Sequence, residues 1–464
     1  MSEPVDNLKK ELFYENKNAV ALCDEEEIKK ADDFCEGYKI FLNNSKTERE
    51  AVRSVVRLCE EKGYTCFDES KKYNSGDRVY YVNKNKSVIL CVFGSESMKN
   101  GVKIAASHID SPRLDLKPNP LYENEEIALF KTHYYGGIKK YQWVTIPLAL
   151  HGVVAKKDGT VVEITLGEKE GEPKFVISDI LPHLGQEQGK RTLSDGIKGE
   201  ELNVIVGSRP FKSEEGSELV KLNILKLINE KYGITEGDFL SAELEVVPAF
   251  KADDIGFDRS LIGAYGHDDR VCAYPAVMAS FGIENPVHTT LTVLADKEET
   301  GSDGNTGLES EFLRSFVYKL ADMNGLKGYD VLRKSECLSA DVNAAFDPTF
   351  SEPFEKNNAS FLNKGVVITK YTGARGKSST NDASAEFMGK IRNILDSNNV
   401  VWQSGELGKV DFGGGGTVAK YISRLEVEVV DLGVPVLSMH APYEVISKLD
   451  IYMAYRAFYE FFVQ

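Results

Sequence analysis

The stretch "DRVCAYPAVMASFGIENPVHTTLTVLADKEETGS", residues 269–302, decides the fold. Its first third, "DRVCAYPAVMASF", reads as a helix, and "VHTTLTVLAD" as a β-prone apolar run that ends on charge. Helical spacing returns in "SEFLRSFVYKL", residues 310–320. Helix, strand and helix in succession predict an α/β fold whose sheet is largely parallel with helices on both faces. In such a sheet ligands gather at the carboxyl ends of the strands, so "DKEETGS" is the first place to look for a site.

The same texture extends outward on both sides. Upstream, residues 5–43 and 48–62 read as helices, "RVYYV" and "SVILCVFG" as a hairpin around "NKNK", and "VKIAASHIDSP" as a short strand ending in His108 and Asp110. Downstream, "ECLSADVNAAF", "VVITKY" and "VPVLSMHAP" read as strands, "NDASAEFMGKIRNIL" as a helix, and about 442–463 as the last helix. Between these halves the pattern changes. Residues 119–251 carry β-segments with turn signals and one helical pattern, "LVKLNILKLINEKYG". The expected organisation is an α/β domain in two parts, 1–118 and 252–464, with a mainly-β domain at 119–251 inserted into it.

Composition agrees with two domains. The chain has 464 residues, 42% hydrophobic and 28% charged, which is enough to bury a large core. A formal charge of −16 argues against nucleic acid as a partner. No run approaches the 18 or so apolar residues a bilayer span needs, and no secretory signal opens the chain, so a cytoplasmic protein away from membranes is expected. The seven cysteines (Cys23, Cys35, Cys59, Cys66, Cys91, Cys272, Cys337) are scattered and never spaced as CxxC, so they are predicted to be buried reduced thiols.

The polar residues that follow the apolar runs are His108 and Asp110, Asp268, Asp296 with Glu298 and Glu299, Asp341, and His440. Imidazoles and carboxylates collected in this way suit one or two zinc-like ions, with manganese or cobalt also compatible. Acidic residues at strand ends are also ordinary helix caps, and spacing alone does not choose between the two readings. The adjacency of Glu298 and Glu299 has a consequence of its own. In a strand or extended turn neighbouring side chains point to opposite sides, so the two are expected to take different roles. Asp110, two residues past His108, lies on the same side of an extended segment and is placed to accept the other ring N–H of His108. His133, His151 and His288 have no matched partners in the sequence and are expected to be structural or surface residues.

The segments "SHIDSPRLDLKP" (107–118), "HDDR" (267–270), "DKEETGS" (296–302), "SADVN" (339–343) and "SMHAPYE" (438–444), in this order, resemble the aspartyl aminopeptidase and vacuolar aminopeptidase I family of co-catalytic zinc aminopeptidases. "YGGIKKYQW", "PHLGQ" and "GGGGTVAKYISR" are also similar to family segments, so the resemblance covers nearly the whole chain. It implies two divalent metal ions, bridged by Asp268. His108 and Asp341 complete one ion, and Glu299 and His440 the other. Glu298 is then free to act as general base in removing N-terminal residues from peptides. The resemblance further implies a cis peptide between Asp268 and Asp269 and a tetrahedral dodecamer with subunit contacts through the inserted domain. His183 of "PHLGQ" would reach a neighbouring subunit's active site.

Substrate preference is read from "KYTGARGKSSTNDAS", residues 370–384, where Lys370, Arg375 or Lys377 would pair with an N-terminal Asp or Glu. The wording of this segment departs from the family's, which keeps a pocket for neutral residues open as an alternative. "GGGG" at 413–416 lacks the Lys-Ser/Thr of a phosphate-binding loop and is read as a close backbone approach, with Thr417 as a hydrogen-bond donor to substrate. A related metal-dependent amide hydrolase, and a silent peptide-binding scaffold of the same fold, are the competing functions.

Overall fold

Continuous burial along the central strands, with alternate side chains on opposite faces, requires a sheet covered on both faces. In the strand Lys103–His108, Ile104 and Ala106 join an apolar cluster with Leu291, Val293, Phe316 and Leu320. Ala105, between them, joins the opposite cluster with Leu294, Leu338, Val271 and Phe458. Phe316 and Phe458 are fully buried, one in each layer, and burial of a side chain of that size contributes about 1.5–3 kcal/mol. The structure, a computed structural model, describes residues 5–213, 215–373 and 375–464.

The main sheet has nine strands. Its centre is parallel: Thr290–Ala295, Lys103–His108, Glu336–Ser339 and Glu428–Gly433 lie side by side in that order. Antiparallel pairings flank it, with Ser87–Val92 against Thr290–Ala295 on one side and Val366–Thr369 against Glu428–Gly433 on the other. The helices Glu25–Asn43, His267–Gly282 and Lys448–Val463 cover one face, and Phe312–Met323 covers the other.

A second, seven-stranded antiparallel sheet is built from residues 113–248 around its own apolar cluster, which includes Leu114, Phe130, Trp143 and Val246. Its helix Leu219–Tyr232 ends at Gly233 in the left-handed conformation, as the glycine after the helical pattern suggests. The strand Arg113–Asn124 runs across residue 118, so this sheet starts before the change of sequence texture near 119. A third sheet of five short strands includes Leu261–Ala264, Pro435–Leu437 and Glu444–Ser447.

Charged side chains join the second sheet to the helix Glu48–Glu61, whose start is fixed by a Thr47–Glu50 capping box. Arg113 pairs with Glu48 at 3.4 Å and with Glu245 at 3.3 Å. His151, expected to be a structural or surface residue, is structural: it is buried between Glu50 at 2.9 Å and Glu168 at 3.1 Å. Burial alone would depress His151, but these carboxylates hold its pKa above the ordinary value.

Several boundaries differ from expectation. The helical pattern of residues 5–43 is interrupted, as Val5–Leu12 and Glu25–Asn43 are separate helices, the second begun by the Asp24 side chain accepting from the Glu27 backbone N–H. The last helix starts at Lys448 because residues 444–447 pair as a strand. The strand Glu428–Gly433 was hidden because "EVEVVDLG" alternates with acidic residues, and "VPVLSMHAP" contributes only Pro435–Leu437, to the five-stranded sheet. Five cysteines are buried, but Cys66 is exposed and Cys23 half-buried; all seven are free thiols.

Candidate metal centre

Residues from two sheets meet at one point. The nine-stranded sheet supplies His108 at the end of its own strand, Asp341 just past Glu336–Ser339, and Glu298 and Glu299 after Thr290–Ala295. Asp268 and His440 come instead from the five-stranded sheet, after Leu261–Ala264 and Pro435–Leu437. The expectation of successive strand ends along one sheet therefore holds for part of the set only.

Asp268 stands at the middle. Its Oδ1 lies 3.2 Å from His108 Nε2 and its Oδ2 3.2 Å from His440 Nε2, so each oxygen faces a different imidazole. Asp341 Oδ1 is 3.6 Å from His108 Nε2, and Glu299 Oε2 is 3.5 Å from His440 Nε2. By mutual proximity, three groups among the described residues could each hold a cation: His108 with Asp268 and Glu299, His108 with Glu298 and Asp341, and Asp268 with Asp269 and Asp341. Glu298 Oε2 sits at 3.8 Å from His108 Nε2. The peptide bond between Asp268 and Asp269 is cis.

Crowding dominates the electrostatics at this point. Burial pushes Glu298 up to about 8, with Asp341 adding to the effect, and drives Glu299 well above the carboxylate range with help from Asp268. Burial also raises Asp341. For His440 burial works downward, yet Asp268 and Glu299 carry it to about 10. His108 likewise rises against its burial, through Asp110, Asp268 and Asp341. Asp268 falls despite burial, because both histidines face it.

The donor set fits divalent cations. His108 Nε2, Asp268 Oδ1 and Glu299 Oε1 are buried without a hydrogen-bond partner among the described residues. Orphaned polar atoms of this kind cost about 1–3 kcal/mol each unless a ligand satisfies them. His108 Nε2 and Asp268 Oδ1 are close but not aligned for a hydrogen bond, as expected of two donors to a shared cation. The set is all nitrogen and oxygen, with no thiolate, which suits zinc, manganese or cobalt.

Supporting groups hold these side chains in place. His108 Nδ1 donates to the Asp110 backbone carbonyl at 3.0 Å, with the Asp110 carboxylate at 3.3 Å, so the expected carboxylate contact is shared with the main chain. The Asp110 carboxylate also accepts from the backbone N–H groups of Glu298 at 3.1 Å and Glu299 at 3.2 Å, and from the Tyr135 hydroxyl at 2.7 Å. Glu444 is its counterpart, accepting from the backbone N–H of His440 at 2.7 Å and of Asp268 at 3.1 Å. His440 Nδ1 donates to the Gly137 carbonyl at 2.7 Å. Asp296 accepts from the Thr306 hydroxyl and the Lys297 N–H, and so shapes the loop.

Glu298 and Glu299 lie on a single 3-10 turn, Glu298–Thr300, entered through Lys297 at φ 71°, and not on an extended segment as expected. Divergence of the two carboxylates comes from the turn. Gly266 opens the other ligand segment at φ +78°, and a Cβ there would stand 1.9 Å from an Arg270 Nη1, so only glycine fits.

The residues expected to touch substrate are placed less uniformly. Lys370 and Lys377 both pair with the Asp382 carboxylate, Lys377 at 3.0 Å. Arg375 is exposed on a loop whose backbone meets residue 410, with no ion pair among the described residues. The Thr417 hydroxyl, expected to face substrate, donates to Asp431 at 2.7 Å, and Gly415 hydrogen-bonds to Thr372, so the glycine run packs against the 370–382 loop. His183 is exposed on the short turn Pro182–Leu184 of the region 113–248. Glu444 of "SMHAPYE" and Tyr135 of "YGGIKKYQW" support the site without being ligands, and local spacing does not mark them out. An acid four residues after a candidate ligand, and a tyrosine before paired glycines, are the weak signals they carry.

A family profile described as "Aminopeptidase I zinc metalloprotease (M18)" matches residues 41–462. A "Probable M18 family aminopeptidase 1" of Clostridium acetobutylicum is 48% identical over 450 residues, spanning 95% of this chain and 97% of that protein. The crystal structure of an M18-family aminopeptidase from Thermotoga maritima superposes with a TM-score of 0.93 at 45% identity, covering 97% of this chain and 99% of that one. The fold also extends to the mApe1 dodecamer of S. cerevisiae, at TM-score 0.74 and 20% identity, over 94% of this chain and 97% of that one.

Proposed function

Because the chain belongs to the M18 family of aminopeptidase I zinc metalloproteases, we propose that it removes single N-terminal residues from peptides at a centre for two divalent cations built on Asp268. One observation carries this reading: the two oxygens of Asp268 each face a different histidine at 3.2 Å. His108 and Asp341 complete one donor set, His440 and Glu299 the other. A zinc ion held by these residues would polarise the scissile carbonyl and activate a water for attack.

The remaining chemistry belongs to side chains. In this assignment Glu298 belongs to neither donor set, although it lies 3.8 Å from His108 Nε2 and groups with Asp341 there. It takes the proton of the attacking water and passes it to the leaving amine. Asp110 orients His108 and, through two backbone N–H groups, the turn that carries Glu298. Glu444 does the same for Asp268 and His440.

For the first side chain of the substrate, Arg375, which has no ion pair among the described residues, is taken as the cation that pairs with an N-terminal Asp or Glu. A second reading, a pocket for neutral residues, is favoured by the pairing of both Lys370 and Lys377 with Asp382. The exposed His183, beside exposed Leu181 and Leu184, supports assembly through the inserted region 119–251 into a homo-oligomer, a tetrahedral dodecamer, in which His183 reaches a neighbouring site. No helix of the described residues is long and apolar enough to cross a membrane.

The test is release of p-nitroaniline from Asp-, Glu- and Leu-p-nitroanilide, with and without a chelator. Chelator-sensitive release is expected, faster for Asp and Glu. Absence of release from all three would reject the exopeptidase reading, and preference for Leu would select the neutral pocket.

A further inference from the structure

Three consecutive residues at the end of the strand Ile127–Tyr135, which belongs to the seven-stranded sheet, touch three different parts of the centre. The Tyr135 hydroxyl donates to Asp110 Oδ2 at 2.7 Å. Gly136, at φ +74°, lies so close to Glu299 that a Cβ would meet its Oε2 at 3.2 Å. The Gly137 carbonyl accepts from His440 Nδ1 at 2.7 Å.

We propose that this turn, Tyr135–Gly137, is a positioning element for the reaction, through which the inserted sheet holds both sides of the metal centre in register. The inference rests on the aminopeptidase reading and deepens it. On one side the path runs from Tyr135 to the Asp110 carboxylate and from there to the backbone N–H groups of Glu298 and Glu299. On the other, the Gly137 carbonyl accepts a hydrogen bond from Nδ1–H of His440, which leaves Nε2 as the atom facing Asp268 and free to ligate.

The turn is itself anchored. The Arg113 guanidinium stacks 3.9 Å from the centre of the Tyr135 ring, and Arg113 is held by Glu48 and Glu245. The ring is therefore fixed by the sheet and by the helix Glu48–Glu61, and its hydroxyl is the part that reports to the centre. A Tyr135→Phe change removes that hydroxyl and keeps the stacked ring.

Tyr135→Phe is compared with wild type, both zinc-loaded, by peptide hydrolysis and by amide hydrogen exchange. Exposed Tyr134→Phe serves as control. Expected for Tyr135→Phe are a kcat lowered about tenfold to a hundredfold with KM within about twofold, and faster exchange confined to residues 297–301. The control should change neither. Wild-type exchange at 297–301 in Tyr135→Phe would overturn the proposal, and so would faster exchange spread equally through strand Leu148–Ala155, which would mean general loosening. A wild-type chain that binds zinc and hydrolyses nothing rejects the aminopeptidase reading, and the exchange comparison still tests the positioning.

Discussion

Glu444 offers a sharp test of how the centre is held. Its two carboxylate oxygens accept from the backbone N–H groups of His440 at 2.7 Å and Asp268 at 3.1 Å, and the side chain is only 1% exposed. In Glu444→Gln one carbonyl oxygen remains, so one of these N–H groups keeps its acceptor and the other meets an NH₂. The loss is one hydrogen bond to a carboxylate, worth about 1.5–3 kcal/mol, with a buried N–H left unpaired. Asp268 faces both histidines, so a shift of its backbone disturbs both donor sets. The expected outcome is zinc affinity lower by about tenfold to a hundredfold with the fold retained. Competition between the protein and a chromophoric chelator measures the affinity, and thermal unfolding with and without zinc measures the fold. Wild-type zinc affinity in Glu444→Gln would refute the reasoning, since the two distances would then describe packing with no bearing on the centre.

Gly136→Ala should lower kcat more than stability: its left-handed φ of +74° costs a non-glycine residue about 1–2 kcal/mol, and the new methyl also presses on Glu299. Turnover and thermal midpoint measured on the same preparation decide this, and an unaltered kcat would contradict it. Asp450 accepts from the backbone N–H groups of Asn363 and Gly365, yet burial raises its pKa to about 8. The folded state then binds the proton more tightly than the unfolded one, so stability from this group is full below about pH 4 and falls as pH rises toward 8. Asp450→Asn cannot ionise, and its denaturation free energy should fall less steeply between about pH 5.5 and 7.5. Equal slopes would count against the burial argument.

The α/β alternation was legible because residues 269–320 change period plainly from helix to strand and back. The candidate site residues were legible for the same reason: His108, Asp341 and the glutamate pair follow strong apolar runs. Less visible was that Asp268 and His440 belong to a different sheet, since Leu261–Ala264 and Pro435–Leu437 have only four and three residues and carry little pattern. The conformation of Glu298–Thr300 was missed because it depends on Lys297 adopting a left-handed backbone, stabilised by the Asp296 side chain and by Asp110, just past the strand Lys103–His108. Contacts of the Asp110 kind link residues 188 positions apart and leave no local spacing to read. Glu444, Tyr135 and Gly137 were overlooked for the same reason, as each acts through a backbone group or another carboxylate.

The division of labour between Glu298 and Glu299 is the central claim, and zinc content measured beside turnover in Glu298→Gln and Glu299→Gln tests it most directly. Glu298→Gln should retain two zinc ions per chain while turnover falls about a hundredfold to ten-thousandfold, and Glu299→Gln should lose zinc as well as activity. Zinc lost from Glu298→Gln and fully kept by Glu299→Gln would contradict the account and exchange the two roles.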